Sequence, residues 1–420
     1  MALFENDLKD PKVGLGKTVV HGLQHTFTMF GATVLVPILT GLDISVALFM
    51  AGIGTLFFHL VTKGKMPVFL GSSFAFITPI VAAMAAFGAQ YALGGLVVSG
   101  LIYVVLAVLV YFIGAERLLK LFPPIVTGPI IMVIGLNLAP TAIGMASENW
   151  ALAFFAFIIV VVVNVYFKGF AKSLPVLIGL VVSYVVAVVI TLATPLKLVD
   201  FSGIAAARWI VLPSFTLAKF NFQAILMVAP VAIVTFVEHI GDVLAVGTIC
   251  KRDFMKDPGL HRTLLGDGIA TSISAMFGGP ANTTYSENTG VLALTRQFNP
   301  AIMRIAAVFA IVLGVVPKLG AIISSIPSAI IGGISIILFG MIASVGARTL
   351  VENKVNMHAA RNLIIAAAIL VLGLGGASLP IHIGSVSFEI AGMALAAIVG
   401  ILLNVILPKD KEGDADSLAG

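Results

Sequence analysis

The sequence has few charged residues and almost no cysteine. Only 10% of its 420 residues are Asp, Glu, Lys or Arg, whereas an average soluble protein has about 25%. So few ionisable groups cannot cover the surface of a water-soluble protein of this length. The lone Cys250 excludes a disulfide framework within the chain. Because 60% of the residues are hydrophobic, most of the chain is expected to lie in lipid.

Apolar stretches predict fourteen transmembrane segments, since one helical span needs about 20 apolar residues. Stretches of spanning length lie at 16–39, 44–62, 91–114, 121–143, 149–167, 173–196, 221–246, 299–317, 319–346, 359–377 and 387–407. Three shorter or broken stretches lie at 67–87, 264–279 and 280–296. The sequence therefore predicts an all-α polytopic membrane protein.

The positive charges predict its orientation. With a cytoplasmic amino terminus and alternating spans, all but four of the 24 Lys and Arg residues lie on the inner side. Loops rich in Lys and Arg remain in the cytoplasm. We therefore expect a multi-pass protein of the cytoplasmic (inner) membrane, with both termini cytoplasmic. The basic residues are spread over short loops, so the net charge of +5 does not indicate a nucleic-acid partner.

The two halves of the sequence contain similar landmarks at an offset of half the chain. The pairs are Gln24 and Glu238, Pro67 and Pro280, and Phe74 and Glu287, which are 214, 213 and 213 residues apart. Half of the chain holds seven predicted spans. Because seven is odd, the second copy enters the membrane upside down, as in the inverted repeats of many secondary transporters.

Two of the short stretches are interrupted, and each begins with a proline, Pro67 or Pro280. Each stretch predicts a short strand that leads into a half-helix, with Ser or Asn near the cap of that helix. Extended backbone at this depth is tolerated only if it is buried in protein or lines a cavity. Two half-helix amino termini would then offer free N–H groups to a ligand. The alternative is a pair of ordinary kinked helices.

Three acidic residues are predicted inside the membrane: Glu238, Asp242 and Glu287. The other sixteen are expected in loops, tails or span ends. Burying a carboxyl group is costly unless it is protonated, paired or placed in a polar cavity. Glu238 and Asp242 are four residues apart and share a helix face, and Glu287 lies at the start of the second half-helix. The alternative is a buried pair with His25 or His239. No metal-ligand spacing and no cofactor motif is evident.

One segment resembles a known family signature. Residues 286–296 match the pattern [Gln/Glu]-Asn-x-Gly-x4-Thr-[Lys/Arg/Gly] of the nucleobase–ascorbate transporter family, which also has a Gln-His pair in its first span, here Gln24-His25. The stretches 71–76, 282–288 and 256–262 are similar to bacterial uracil permeases. The resemblance covers residues 16 to 407, nearly the whole chain.

The resemblance implies a proton-coupled uracil symporter with a core domain that moves against a gate domain. The implied core domain comprises residues 16–114 and 221–317, and the gate domain comprises residues 115–197 and 318–407. An external loop at 198–220 and cytoplasmic tails at 1–15 and 408–420 complete the chain. The implied partners are uracil, protons and the lipid bilayer, with a homodimer formed through the gate domain.

The resemblance also implies the site residues. Substrate contacts are expected from Ala32, Ser73, Phe74, Glu238, Tyr285, Ser286, Glu287 and Phe339. Proton coupling is expected from Glu238, Asp242 and His25. Two positions depart from relatives: Asp242 stands where some uracil permeases have His, and Phe339 stands where a relative has Tyr.

Other functions agree less well with the residues. A xanthine or urate permease of the same family usually has Gln where Glu287 stands. An anion exchanger of the same architecture would need a cation at the half-helices, where Glu287 repels anions. An enzyme would need a nucleophile–base or metal constellation, and the sequence contains only isolated histidines.

Uracil is uncharged, so its uphill uptake requires a coupled ion. A buried carboxyl group suits that role, since desolvation disfavours its charged form.

Overall fold

The computed structural model describes residues 14–115, 117, 120–383 and 386–408. The predicted tails before residue 14 and after residue 408 lie outside these ranges. The helices are α1 (Leu15–Thr40), α2 (Ile44–Val61), α3 (Ile77–Phe87), α4 (Ala89–Ile113), α5 (Pro124–Asn137), α6 (Ala139–Ser147), α7 (Trp150–Tyr166), α8 (Pro175–Ala193), α9 (Ser202–Ala206), α10 (Phe222–Val228), α11 (Ala232–Cys250), α12 (Leu260–Met276), α13 (Ser286–Thr295), α14 (Pro300–Gly314), α15 (Pro317–Ser324), α16 (Ser328–Glu352), α17 (Ala360–Leu374) and α18 (Gly392–Ile406). The strands are β1 (Leu70–Ser72), β2 (Asn282–Thr284), β3 (Ser378–Ile383) and β4 (Val386–Ala391).

The helices confirm a multi-pass membrane protein. Within the described ranges, seven helices or continuous helix pairs are long and apolar enough to cross a membrane: α1, α2, α4, α5–α6, α8, α10–α11 and α16. The apolar helices α7, α17 and α18 are shorter. Together with α12, α14 and two strand–half-helix units, they occupy the fourteen predicted segments.

Two predicted spans are wrong in their boundaries. The stretch 319–346 is not one helix, because α15 bends by 79° from α14 and α16 begins only after Pro327. The stretch 387–407 begins as a strand, and its helix starts at Gly392. Residues 378–391 alternate between apolar and polar side chains, a pattern that favours strands. They form the antiparallel hairpin β3–β4.

The two predicted strands pair with each other at the centre of the fold. β1 and β2 are antiparallel, with Gly71 opposite Thr283. Each leads into a short helix: a 3₁₀ turn and α3 follow β1, and α13 follows β2. With the offset of 213 residues, Leu70 is equivalent to Thr283 and Gly71 to Thr284, and each of the two strand residues pairs with the other's equivalent. The two-fold axis that relates the repeats therefore passes between residues 70 and 71 of β1. The inverted repeat and the strand–half-helix units are therefore confirmed.

Helix packing positions these units. α12 packs along α4, and α14 packs against α1 and α2, while α16 packs against α5, α6 and α7. The contact between α4 and α12 depends on glycine. A Cβ atom at Gly100 would lie 2.4 Å from the carbonyl oxygen of Gly268, and one at Gly268 would lie 2.6 Å from that of Gly100. Only residues without a side chain allow this approach, which holds α12 close against α4.

Candidate substrate site

The side chain of Tyr285, which follows β2 directly, is hydrogen-bonded to β1. Its ring is 3% exposed, and its hydroxyl donates to the carbonyl oxygen of Ser72 at 3.0 Å. The Thr33 hydroxyl donates to the same tyrosine oxygen at 3.3 Å. A Cβ atom at Gly71 would lie 2.3 Å from the tyrosine ring, so this position in β1 must be glycine. The hydroxyl of Tyr285 is therefore engaged within the protein, and a contact of this residue with the substrate stays a prediction.

Both half-helices begin without a side-chain cap. Ser73 is the N-cap residue of the 3₁₀ turn Phe74–Phe76, and its side chain makes no capping hydrogen bond. The N-cap of α13 is Tyr285, whose side chain also makes none. Ser286 follows this N-cap directly, so the predicted Ser lies near the cap of α13 but does not cap it. The first N–H groups of a helix have no partner inside it, so these two starts can donate to a ligand.

Asp242 is hydrogen-bonded to the start of the second half-helix. Its carboxylate accepts from the Thr284 hydroxyl at 2.6 Å and from the Ser286 hydroxyl at 2.7 Å. Sequence spacing placed Asp242 only on the same face of α11 as Glu238. The structure shows that it also joins α11 to the β2–α13 junction, so its charge state acts directly on the hydroxyl groups of Thr284 and Ser286.

Glu238 and Glu287 are both partly buried. Glu238 lies within electrostatic range of Asp242, Glu287 and Asp267. Its Oε2 atom is buried and has no hydrogen-bond partner among the residues that the structure describes. A buried acceptor without a partner is costly, and a ligand N–H would satisfy it. Among the described residues, no group of three His, Cys, Asp or Glu could hold a metal ion.

Two aromatic rings bring the halves of the predicted site together. The rings of Phe74 and Phe339 pack edge to face, with centroids 6.1 Å apart and planes at 74°. Phe339 on α16 is only 1% exposed. Ala32 and Ser73 are also buried, and the Ser73 hydroxyl has no hydrogen-bond partner in the described ranges. The ring contact thus joins the β1 unit to α16 at two of the predicted contact residues.

His25 binds the second half-helix and pairs with no carboxylate among the residues that the structure describes. The side-chain amide of Asn288 donates to the backbone carbonyl of His25 at 3.1 Å and lies 3.1 Å from its Nδ1 atom. The imidazole is fully buried. The structure therefore shows how His25 holds α13 against α1, and its role in proton coupling stays a prediction.

Asp267 is a buried acidic residue that was not among the predicted site residues. This residue lies on α12, is 1% exposed, and places Oδ2 3.1 Å from Nδ1 of His239. Asp267 is one of the sixteen acidic residues expected in loops, tails or span ends, and the structure places it inside α12. The signal was present, because Asp267 falls within the short apolar stretch 264–279. His239 pairs with this residue and with none of the three predicted carboxyl groups.

Sequence comparison identifies the family. The family model of xanthine and uracil permeases, described as a permease family, matches residues 16–382. The chain belongs to this family. It is the nucleobase–ascorbate transporter family that the signature at 286–296 indicated.

Curated members resemble the chain along nearly its full length. The uracil permease of Bacillus caldolyticus is 47% identical over 417 residues, covering 96% of this chain and 94% of that protein. The uracil permease of Bacillus subtilis (strain 168) is 43% identical, covering 95% and 94%. The uracil permease of Escherichia coli (strain K12) is 40% identical, covering 95% of each.

Solved structures share the fold at low sequence identity. The transmembrane domain of the cyanobacterial bicarbonate transporter BicA is 14% identical, with a TM-score of 0.64, covering 92% of this chain and 96% of that one. The inward-facing murine anion transporter Slc26a9 is 10% identical, with a TM-score of 0.68, covering 96% and 70%. These similarities concern the seven-plus-seven inverted-repeat fold.

Proposed function

We propose that this chain imports uracil across the cytoplasmic membrane together with protons. The observation that carries the proposal is the near full-length identity of 40–47% to proteins named uracil permeases. Two proposed site residues support it: Phe74 and Glu287 lie in the first turns of the two half-helices. Glu238 lies within electrostatic range of Glu287, which stands where purine permeases of the family usually have Gln.

The site fits the chemistry of uracil. The ring is flat and neutral, with two N–H donors and two carbonyl acceptors. The carboxyl groups of Glu238 and Glu287 supply acceptors for the N–H groups. The uncapped N–H groups at Phe74 and Ser286 supply donors for the carbonyl oxygens. The half-buried ring of Phe74 supplies an apolar surface for one face of the pyrimidine.

Proton coupling follows from the buried carboxyl groups. One proton moved inward contributes about 2.3 kcal/mol per 100 mV of membrane potential, whereas uracil contributes nothing. Glu238 is proposed as the carrier because its Oε2 atom is buried without a partner in the described ranges. Asp242 is proposed to tune it, since its hydrogen bonds to Thr284 and Ser286 connect α11 to the substrate-binding half-helix.

Transport requires the site to move relative to the rest of the protein. Packing supports the proposed division, because α1, α2, α4, α12 and α14 pack with one another and α16 packs with α5, α6 and α7. The contact between Phe74 and Phe339 then lies between a mobile core and a fixed gate. We place both termini on the cytoplasmic side on the strength of the Lys and Arg distribution.

Uptake into proteoliposomes tests this function. Radiolabelled uracil should accumulate when the outside is more acidic than the lumen, and accumulation should disappear with the pH gradient. Unlabelled uracil should compete, whereas xanthine and urate should compete much less. Uptake of xanthine in preference to uracil would support the purine-permease alternative, and chemical conversion of uracil would indicate an enzyme.

A further inference from the structure

A second buried polar cluster lies between α11 and α12, beside Glu238 in the chain. Nδ1 of His239 is 3.1 Å from Oδ2 of Asp267, and the two side chains are 0% and 1% exposed. The ring of Tyr103 on α4 packs edge-on against the imidazole, with centroids 6.2 Å apart. In the part of the chain that the structure describes, neither the carboxylate oxygens of Asp267 nor Nδ1 of His239 has a hydrogen-bond partner, and the 3.1 Å approach is the polar contact between the two groups.

Thr263 determines which imidazole nitrogen carries a proton. Its hydroxyl donates to the carbonyl oxygen of Leu260 at 3.0 Å, and its oxygen lies 3.0 Å from Nε2 of His239. A hydroxyl has one hydrogen, so an oxygen that donates to Leu260 can only accept from the imidazole. Nε2 therefore donates to Thr263. A neutral imidazole has a single N–H group, which leaves Nδ1 as a bare acceptor.

A bare Nδ1 cannot face a carboxylate at this distance without repulsion, so a proton must lie between His239 and Asp267. Either the carboxyl O–H donates to Nδ1, or an imidazolium N–H donates to the carboxylate. Both arrangements are neutral overall. When this proton leaves, the Thr263 hydroxyl must turn from Leu260 to donate to Nε2, and the pair becomes negative. The cluster thus has two protonation states with defined hydrogen bonds.

Other titratable groups surround the pair. Tyr103 faces it from α4, and Glu238 and Asp242 on α11 lie within electrostatic range of Asp267. Several negative charges buried together are costly unless protons or partners neutralise them. A neutral His239–Asp267 pair therefore lowers the charge that the core must carry through the membrane.

We propose that His239 and Asp267 jointly bind one proton and form a second proton-binding site of the transport cycle, next to Glu238. This inference rests on the proposed proton-coupled transport of uracil. The pair is protonated in the uracil-loaded core and releases its proton after the substrate has left. Binding linkage is reciprocal, so protonation of the pair and binding of uracil favour each other.

The pH dependence of uracil affinity tests the proposal. The dissociation constant is measured by calorimetry on purified protein in detergent between pH 5 and 9, and the slope of its logarithm against pH counts the protons taken up. Asp267→Asn keeps the shape of the side chain and lets its amide donate to Nδ1, which imitates the protonated pair. For this variant, we expect the maximum slope of the logarithm of the dissociation constant against pH to be smaller than the parent's by about one, which corresponds to one proton fewer taken up.

Controls separate this proposal from the proposed function. Asp253→Asn removes a half-exposed carboxylate from the loop between α11 and α12 and should keep the parent's slope. His239→Gln, which has no titratable nitrogen, should also reduce the slope and serves if Asp267→Asn is unstable. Equal slopes in the parent and both variants would overturn the second proton site alone. Failure of the folded parent to bind uracil at any pH would overturn the proposed function instead.

Discussion

Replacing Asp242 by Asn should uncouple uracil transport from the pH gradient while leaving uracil binding largely intact. The carboxylate accepts two short hydrogen bonds, at 2.6 Å from Thr284 and 2.7 Å from Ser286. Hydrogen bonds to charged groups contribute about 1.5–3 kcal/mol and neutral ones about 0.5–1.5 kcal/mol. Losing the charge therefore weakens the β2–α13 junction by roughly 2–3 kcal/mol. An amide can still accept from one hydroxyl and donate to the other, so the junction persists.

The expected result is a loss of coupling with a limited loss of affinity. Uracil binding by Asp242→Asn should remain within about tenfold of the parent, or ~1.4 kcal/mol. Concentrative uptake should lose much of its response to an imposed pH gradient, whereas exchange of internal for external uracil should continue, since exchange needs no net proton release. The assays are calorimetry in detergent, followed by uptake and exchange in proteoliposomes.

A matched control is available at Asp43. This residue caps α2, where its carboxylate accepts from the backbone N–H of Val46 at 2.9 Å. Asn is an equally good N-cap, so Asp43→Asn should keep the parent's coupling. If Asp242→Asn accumulates uracil with the parent's pH-gradient dependence, Asp242 is only a structural partner of Ser286, and the reasoning above is refuted.

Three further predictions concern binding, packing and topology. Glu287→Gln should weaken uracil binding by about 1–3 kcal/mol, because a charged acceptor in a buried site becomes an amide, as calorimetry would show. Gly71→Ala should lower uracil affinity at least tenfold, ~1.4 kcal/mol, since the added Cβ meets the buried ring of Tyr285 and displaces β1. Single cysteines at Glu148 and Lys168, in a cysteine-free background, should be labelled from opposite sides of the membrane, because the 17 residues of α7 cover about 25 Å.

Each of these predictions has an outcome that contradicts it. Unchanged affinity in Glu287→Gln would remove that residue from the substrate contacts. Gly144→Ala adds a Cβ in open space and should behave like the parent, so an equal loss in this variant would contradict the steric argument. Labelling of both cysteines from one side would contradict the fourteen-segment topology.

Much of the fold follows from the sequence because lipid imposes one strong constraint on backbone polar groups. Apolar stretches of spanning length give the helices, and the prolines at 67 and 280 mark the strand–half-helix units. The boundaries of two predicted spans are wrong because prolines and alternating side chains determine the local structure there, although the mean hydropathy favours a continuous helix. The 79° bend lies between α14 and α15, and the next helix begins only after Pro327. The alternation in residues 378–391 produces a hairpin that takes up the start of the predicted span 387–407.

The site was predictable only in part, because the decisive contacts are made across helices. Glu238 and Asp242 share a helix face by spacing alone, but the hydrogen bonds of Asp242 to Thr284 and Ser286 depend on how α11 packs against β2. The pairing of Asp267 with His239 likewise depends on the depth at which α12 lies against α11. Spacing along one chain segment contains no information about that depth.

The coupling of uracil to protons can be measured directly with a pH-sensitive dye inside proteoliposomes. At equal internal and external pH, external uracil should acidify the lumen, because the inward uracil gradient carries protons with it. External xanthine should cause no change. Accumulation of radiolabelled uracil in the same vesicles without acidification of the lumen would contradict proton-coupled transport.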